Sequence, residues 1–160
     1  LHLSIRRQRQ MCIRDRCYTH RHLFATLAMQ LIAEGQNAKA EKVLRKSEKV
    51  LPEYNVPYTF MSGASDLARA YALIGKKADA ACILNKVWAD AKSYADYYLQ
   101  LTGSRFMMSQ NEVLRQLYIM QNIADMTQAC DKNLANKRLK TVNALYAVYQ
   151  AKGGTPYQGE

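Results

Sequence analysis

Apolar positions recur at helical spacing along most of the chain. Leu23, Leu27 and Leu31, with Phe24, Ala28 and Ile32 beside them, form a stripe that stops at Gly35. Ala40, Val43, Leu44, Ser47, Val50 and Leu51 form a second, ending at Pro52. Both follow the i, i+3, i+4, i+7 recurrence of an amphipathic helix. Gly35 can supply the left-handed residue that closes a helix, and Pro52 cannot continue one. The Gly35–Asn37 link is so short that the two helices are predicted to fold back antiparallel. The unit then recurs: Leu67, Ala68, Tyr71 and Leu73 lead to Gly75, and Ala80, Leu84, Val87 and Trp88 follow. Cys82 falls within this last stripe and is predicted to be a small core residue.

The two units share fixed offsets. Gly35 and Ala40 are five positions apart, as are Gly75 and Ala80, and Leu44 and Leu84 each follow four positions later. Small residues at 40 and 80 would let the second helix of each hairpin approach the first closely, while the leucines fill the gap between hairpins. This spacing resembles the tetratricopeptide repeat. Phe24, Leu27, Ala28, Ala40, Leu44 and Pro52 fit one copy, and Leu67, Ala68, Tyr71, Ala80 and Leu84 fit another. Leu31 replaces the pattern's tyrosine, and Lys92 stands where its second proline would be. The period is 40 residues, against about 34 in the usual repeat, because Glu53–Pro57 forms an inserted loop.

Beyond Trp88, the positions Ala91, Ala95, Tyr98 and Leu99 prolong the helix to near Leu101, a run of roughly 37 Å. Gly103 and Ser104 break it. Val113, Leu117, Met120 and Ala124, flanked by Leu114, Tyr118 and Ile123, make a stripe wide enough for burial on more than one side. Ala135, Leu139, Val142, Tyr146 and Tyr149 mark a last helix, expected to cover the open end of the array. The fold class predicted is all-α: antiparallel helical hairpins stacked as a tetratricopeptide-like array with a capping C-terminal helix. One helical-repeat domain is expected over 17–152, followed by a disordered tail over 153–160.

Residues 1–16 break the helical pattern. Arg6 to Arg16 read RRQRQMCIRDR, which resembles the translation, unbroken in one frame, of a transposase-type sequencing-library adapter. They are expected to be an adapter-derived tail that makes few contacts with the helical body. This changes the charge picture. The whole chain carries a formal net charge of +10, but positions 1–16 hold five Arg and one Asp, leaving 18 Lys and Arg against 12 Asp and Glu. The resulting +6 over 144 residues is an ordinary solubility level. Its cations are interleaved with acids, so no nucleic-acid partner is expected. No apolar run approaches the length of about 20 residues that a membrane span needs. With Cys12 set aside, Cys17, Cys82 and Cys130 have neither disulfide nor metal-ligand spacing.

The candidate chemistry is sparse. His20-Arg21-His22 is the only histidine pair, and an i, i+2 pair diverges on a helix, so no metal site is expected. Three basic groups would oppose the dipole at a helix N-terminus. Either the helix begins further upstream or the cluster lies at a membrane surface. Asp90 and Asp96 are too far apart in register to share an acid–base task. Ser62-Gly63-Ala64-Ser65 lacks the Gly-Lys of a phosphate loop, and Ser62 or Ser65 is expected to cap the next helix. No catalytic residue and no cofactor are predicted. Partner binding is expected either on the concave face formed by the first helices of the hairpins, through Gln30, Asp66 and Arg69, or at the aromatic cluster of Tyr94, Tyr97 and Tyr98 near the Gly103 bend, with Trp88, Phe106 and Tyr118 nearby. Because adjacent helical positions diverge by about 100°, at least one of Tyr97 and Tyr98 should be exposed.

Four stretches, HRHLFATLAMQLIAEGQNAKAEKVL, LPEYNVPYTFMSG, LARAYALIGKKADA and RFMMSQNEVLRQLYIMQNIAD, resemble the C-terminal soluble portion of a bacterial multi-pass membrane family. It is the protein O-mannosyltransferase-like family, glycosyltransferase family 117. The similarity covers about Tyr18 to Lys152. It implies an N-terminal membrane domain, absent from this sequence, that transfers a sugar from a lipid-linked donor. It also implies a place at the bacterial inner membrane with the soluble part in the periplasm, and it carries no catalytic residue onto these positions. By itself the segment is expected to be an interaction or structural module whose partners are that membrane domain and a protein or peptide. The alternative is a soluble tetratricopeptide-type peptide-binding adaptor.

Overall fold

The computed structural model describes the backbone of residues 2–155 and the side chains of residues 11–155. Within it the protein is all-α, with six helices and no strand among the described residues. They are α1 (His2–Ala33), α2 (Asn37–Val50), α3 (Ala64–Leu73), α4 (Lys77–Gln100), α5 (Gly103–Thr127) and α6 (Lys132–Ala151), with one turn of 3-10 helix at Phe60–Ser62. The chain gathers into two compact units, residues 1–84 and 85–160. The division falls inside α4, whose 24 residues far outrun the 10 of α3.

In the first unit α2 doubles back along α1, and α1 also packs on α3 and the 3-10 turn. The turns after α1 and α3 are built alike. Gly35 and Gly75 are left-handed, with φ of 76° and 81°. Gln36 N–H donates to the Leu31 carbonyl and Gly35 N–H to Ile32; Lys76 donates to Tyr71 and Gly75 to Ala72. Each pair satisfies carbonyls that the helix end leaves open. The next helix then starts in the same way, with Ala40 N–H on Gln36 and Ala80 N–H on Lys76. Ala40 and Ala80 are both wholly buried, as the shared offsets predict.

The buried face of α1 is not the leucine stripe. Leu23 and Leu27 are 56% and 50% exposed and Leu31 is half-buried, whereas Arg21, Ala25 and Ala28 are fully buried. A helix flanked by α2, α3 and the 3-10 turn needs small side chains where the backbones approach, and alanine meets that need better than leucine. The approach is close enough that a Cβ on left-handed Gly63 would stand 3.1 Å from the His22 backbone nitrogen. Gly63 itself is the N-cap of α3. Ser62 instead closes the 3-10 turn, donating to the Thr59 carbonyl and accepting from Thr59 N–H, so the expected serine cap on α3 is not formed. Cys82 is exposed, which corrects its placement in the core.

The second unit is centred on Leu99, Phe106, Val113, Leu117 and Tyr149, with Tyr98, Leu101, Leu114, Leu145 and Tyr146 against them. α5 and α6 pack along each other. α5 buries Val113, Leu117, Ile119, Met120, Ile123 and Ala124, a broad face, but Tyr118, expected on it, is 65% exposed and Leu114 is only half-buried. Asp131 caps α6, its carboxylate accepting from Asn133 and Leu134 N–H. Residues 153–155, the first of the expected tail, fold back on α5 and α6. Tyr149 donates its hydroxyl to the Thr155 carbonyl, Thr155 donates its own to Gln110, and Gly154 lies so close to the Tyr149 ring that no Cβ would fit. Lys152 Nζ reaches the carbonyls of Leu99 and Leu101. Positions 156–160 lie outside the described residues.

α1 runs through the adapter-like segment as helix from His2, so His20-Arg21-His22 sits in mid-helix rather than at an opposed N-terminus. Positions 11–16 are all exposed, Ile13 among them. The side chain of Ile5 lies outside the described residues. No described helix is long and apolar enough to cross a membrane.

Candidate functional site: a groove between α5 and α6

The residues singled out from the sequence do not form one site. Gln30 is exposed, but it follows Arg21 by nine positions and so points about 180° away from that buried side chain. Asp66 and Arg69 lie on α3. Asp66 is occupied by His22, whose Nδ1 is 2.8 Å from its carboxylate, while Arg69 is exposed. In the second unit Tyr94 and Tyr97 are 48% and 58% exposed. Tyr98 packs on the core cluster and meets Tyr97 edge to face at 5.3 Å. Their divergence follows the predicted register. Phe106 is core, and Trp88 lies beneath Arg138, so the aromatic residues near the bend serve separate purposes. Lys92 pairs with Asp96, and burial raises the Asp90 carboxyl above its ordinary range; the two acids share no partner.

Two buried arginines are the main polar features that periodicity did not reveal. Arg21 donates to four carbonyls, those of Pro57 (3.3 Å), Ser62 (3.4 Å), Leu51 (3.2 Å) and Val56 (2.6 Å). Its guanidinium also lies over the Tyr58 ring at 4.8 Å. Burial lowers its pKa, but arginine titrates so high that it stays charged. Arg138 donates to Thr127 Oγ1 and Asn85 Oδ1 and lies over Trp88. Both tie elements together and expose nothing to a ligand. Arg45 is more open. It makes a two-pronged pair with Asp79, contacts Glu48 and covers the ring of Tyr71, which fastens the start of α4 to α2. Burial pushes the Tyr71 hydroxyl well above its ordinary range.

A groove of about 860 Å³ runs between α5 and α6 in the second unit, within the size range of ligand sites. Asn111, Leu114, Arg115, Leu117, Tyr118 and Gln121 line it from α5, and Val142, Asn143 and Tyr146 from α6. The α5 residues recur at three- and four-residue spacing, which places them along one side of the helix. Leu117 and Val142 are buried and form part of the floor, while Asn111, Arg115, Tyr118, Gln121 and Asn143 are exposed along the rims. Tyr146 is stacked on Tyr149, with ring centroids 6.0 Å apart, so its orientation is fixed from behind. No acidic side chain lines the groove. Of its lining, the sequence pattern singles out only Tyr118 as a site neighbour. The overlooked signal was the recurrence of carboxamides at 111, 121 and 143 next to apolar stripe positions.

Among the described residues no three His, Cys, Asp or Glu side chains gather as metal ligands. No family model, curated protein or solved structure matches the chain.

Proposed function

We propose that this chain is a non-catalytic helical interaction module whose ligand site is the α5–α6 groove. The observation that carries this reading is the groove's make-up: an apolar floor, exposed carboxamides on both rims, two tyrosines and one arginine. Such groups bind through shape and hydrogen bonds, since carboxamides both donate and accept and do not titrate. The alike turns at Gly35 and Gly75 support a tetratricopeptide-like ancestry for the first four helices. The four stretches quoted above favour a place in the C-terminal part of a membrane glycosyltransferase-like protein of the inner membrane, with its soluble part in the periplasm. On that reading, the gene upstream of the Cys17 codon encodes several apolar spans of about 20 residues, and a short polar leader in their place would favour the soluble adaptor.

Chemical-shift mapping on the full chain tests the binding site. A pool of random heptapeptides and a pool of neutral oligosaccharides are titrated separately. We expect shifts confined to residues 111–121 and 142–146 with at least one pool. Absence of groove shifts with both pools overturns the assignment.

A further inference from the structure

We propose that the α5–α6 groove takes an extended peptide segment that presents a carboxylate to Arg115. The inference rests on the groove being the ligand site and specifies what fills it. Length is the first argument. From Asn111 to Gln121 the lining covers ten helical steps, about 15 Å at 1.5 Å each. An extended strand advances about 3.3 Å per residue, so four to five peptide units lie along this rim, with roughly every second side chain turned to the floor.

The distribution of polar groups is the second. A peptide backbone offers a donor and an acceptor at every residue, and a carboxamide can answer both. Asn111 and Gln121 stand towards the ends of the α5 rim, and Asn143 faces them from α6. Leu114, Leu117 and Val142 between them provide apolar contact for side chains rather than polar contact for hydroxyls. A sugar ring would call for the polar groups to converge around one aromatic platform, whereas here they are strung out and the two tyrosines stand on different helices.

Charge is the third argument. Arg115 is the one cation of the lining, and its carboxylate partner, Glu112, lies outside the lining. Its ion pair with Glu112 is long, at 3.6 Å, and both side chains are about half exposed, at 51% and 44%. A pair of that kind contributes little, so an arriving carboxylate can replace Glu112 at small cost. A guanidinium matches a carboxylate with two parallel hydrogen bonds. One cation is too few for a nucleic-acid backbone, which is held by many phosphate contacts.

The test uses the full chain and a phage-displayed random heptapeptide library, with selected peptides measured by fluorescence anisotropy. We expect enrichment of peptides with Asp or Glu near the centre. Their affinity should fall about tenfold for Arg115→Gln, the loss expected when a charged hydrogen bond is removed, and also for Asn143→Ala. Both positions are exposed, so the variants should fold, and unchanged circular dichroism would verify it. Enrichment of basic or uncharged peptides overturns the proposal, and so do acidic peptides whose affinity neither variant changes. Groove shifts with oligosaccharides and no peptide selection would refute the ligand class while leaving the binding site intact. No response to either would remove both.

Discussion

Arg21 shows what a single charged side chain does when the chain around it lacks regular structure. Residues 51–59 form neither helix nor strand, yet Leu51, Val56 and Tyr58 are buried, and buried carbonyls must find donors. Arginine supplies several from one planar group. Arg21→Met is therefore expected to cost on the order of 3 kcal/mol, because it strips donors from carbonyls inside the core. Arg21→Lys should recover only part of this, since an ammonium's donors radiate from one point. Urea unfolding of the full chain measures both, and a methionine variant as stable as the parent would remove this role. The arginine was visible in the sequence as part of a basic cluster, but rules of hydrophobic periodicity send such residues outward. A better clue was the loop itself, which had no ladder of its own to satisfy it. Arg138 carries a comparable clue, standing at stripe spacing between Ala135 and Val142, both buried, although Leu139 fits the same stripe and is apolar.

At the scale of elements, the end signals were legible and one helix face was not. Gly35 and Gly75 end their helices as the pattern predicts, because only a left-handed residue lets the following N–H groups reach back to the open carbonyls. The buried side of α1 is not legible in its pattern, because the helix has two faces of similar apolar character and a single-helix pattern does not reveal how closely its neighbours approach. Close approach selects Ala25 and Ala28 and leaves Leu23 and Leu27 outside. The same logic applies at Ala40 and Ala80, which have no exposed surface. Leucine at either position should overpack the helix contact and cost about 1–3 kcal/mol. The exposed Lys42→Leu is the control and should stay within about 0.5 kcal/mol of the parent. Thermal unfolding of the three variants checks this; an Ala40→Leu protein that melts with the control would mean that the space beside Ala40 is open. The groove was the least legible feature, since it depends on how α5 and α6 pair, and neither helix alone marks its carboxamides as neighbours.

For the whole molecule, the question is how much of the chain takes part in folding. α1 has 32 residues and α2 has 14, so at 1.5 Å per residue they measure about 48 Å and about 21 Å. An antiparallel α2 separated from α1 by three residues can cover only the C-terminal half of its partner. Positions 11–16 are accordingly exposed, and the Asp15 carbonyl is engaged by Thr19 of the same helix. Helix there rests on local hydrogen bonds, which are marginal without tertiary packing. Deleting residues 1–16 is expected to leave the unfolding free energy within about 0.5 kcal/mol of the full chain, whatever the origin of the segment. The charge should change far more. Five Arg and one Asp leave with it, taking the net charge from +10 to +6, so retention on an immobilised polyanion should weaken and its salt dependence should flatten. Unfolding in urea and salt elution from heparin, run side by side on both proteins, separate the two effects. A large loss of stability on deletion would make the N-terminal segment part of the folded body, and unchanged heparin elution would place the protein's anion affinity in the body instead.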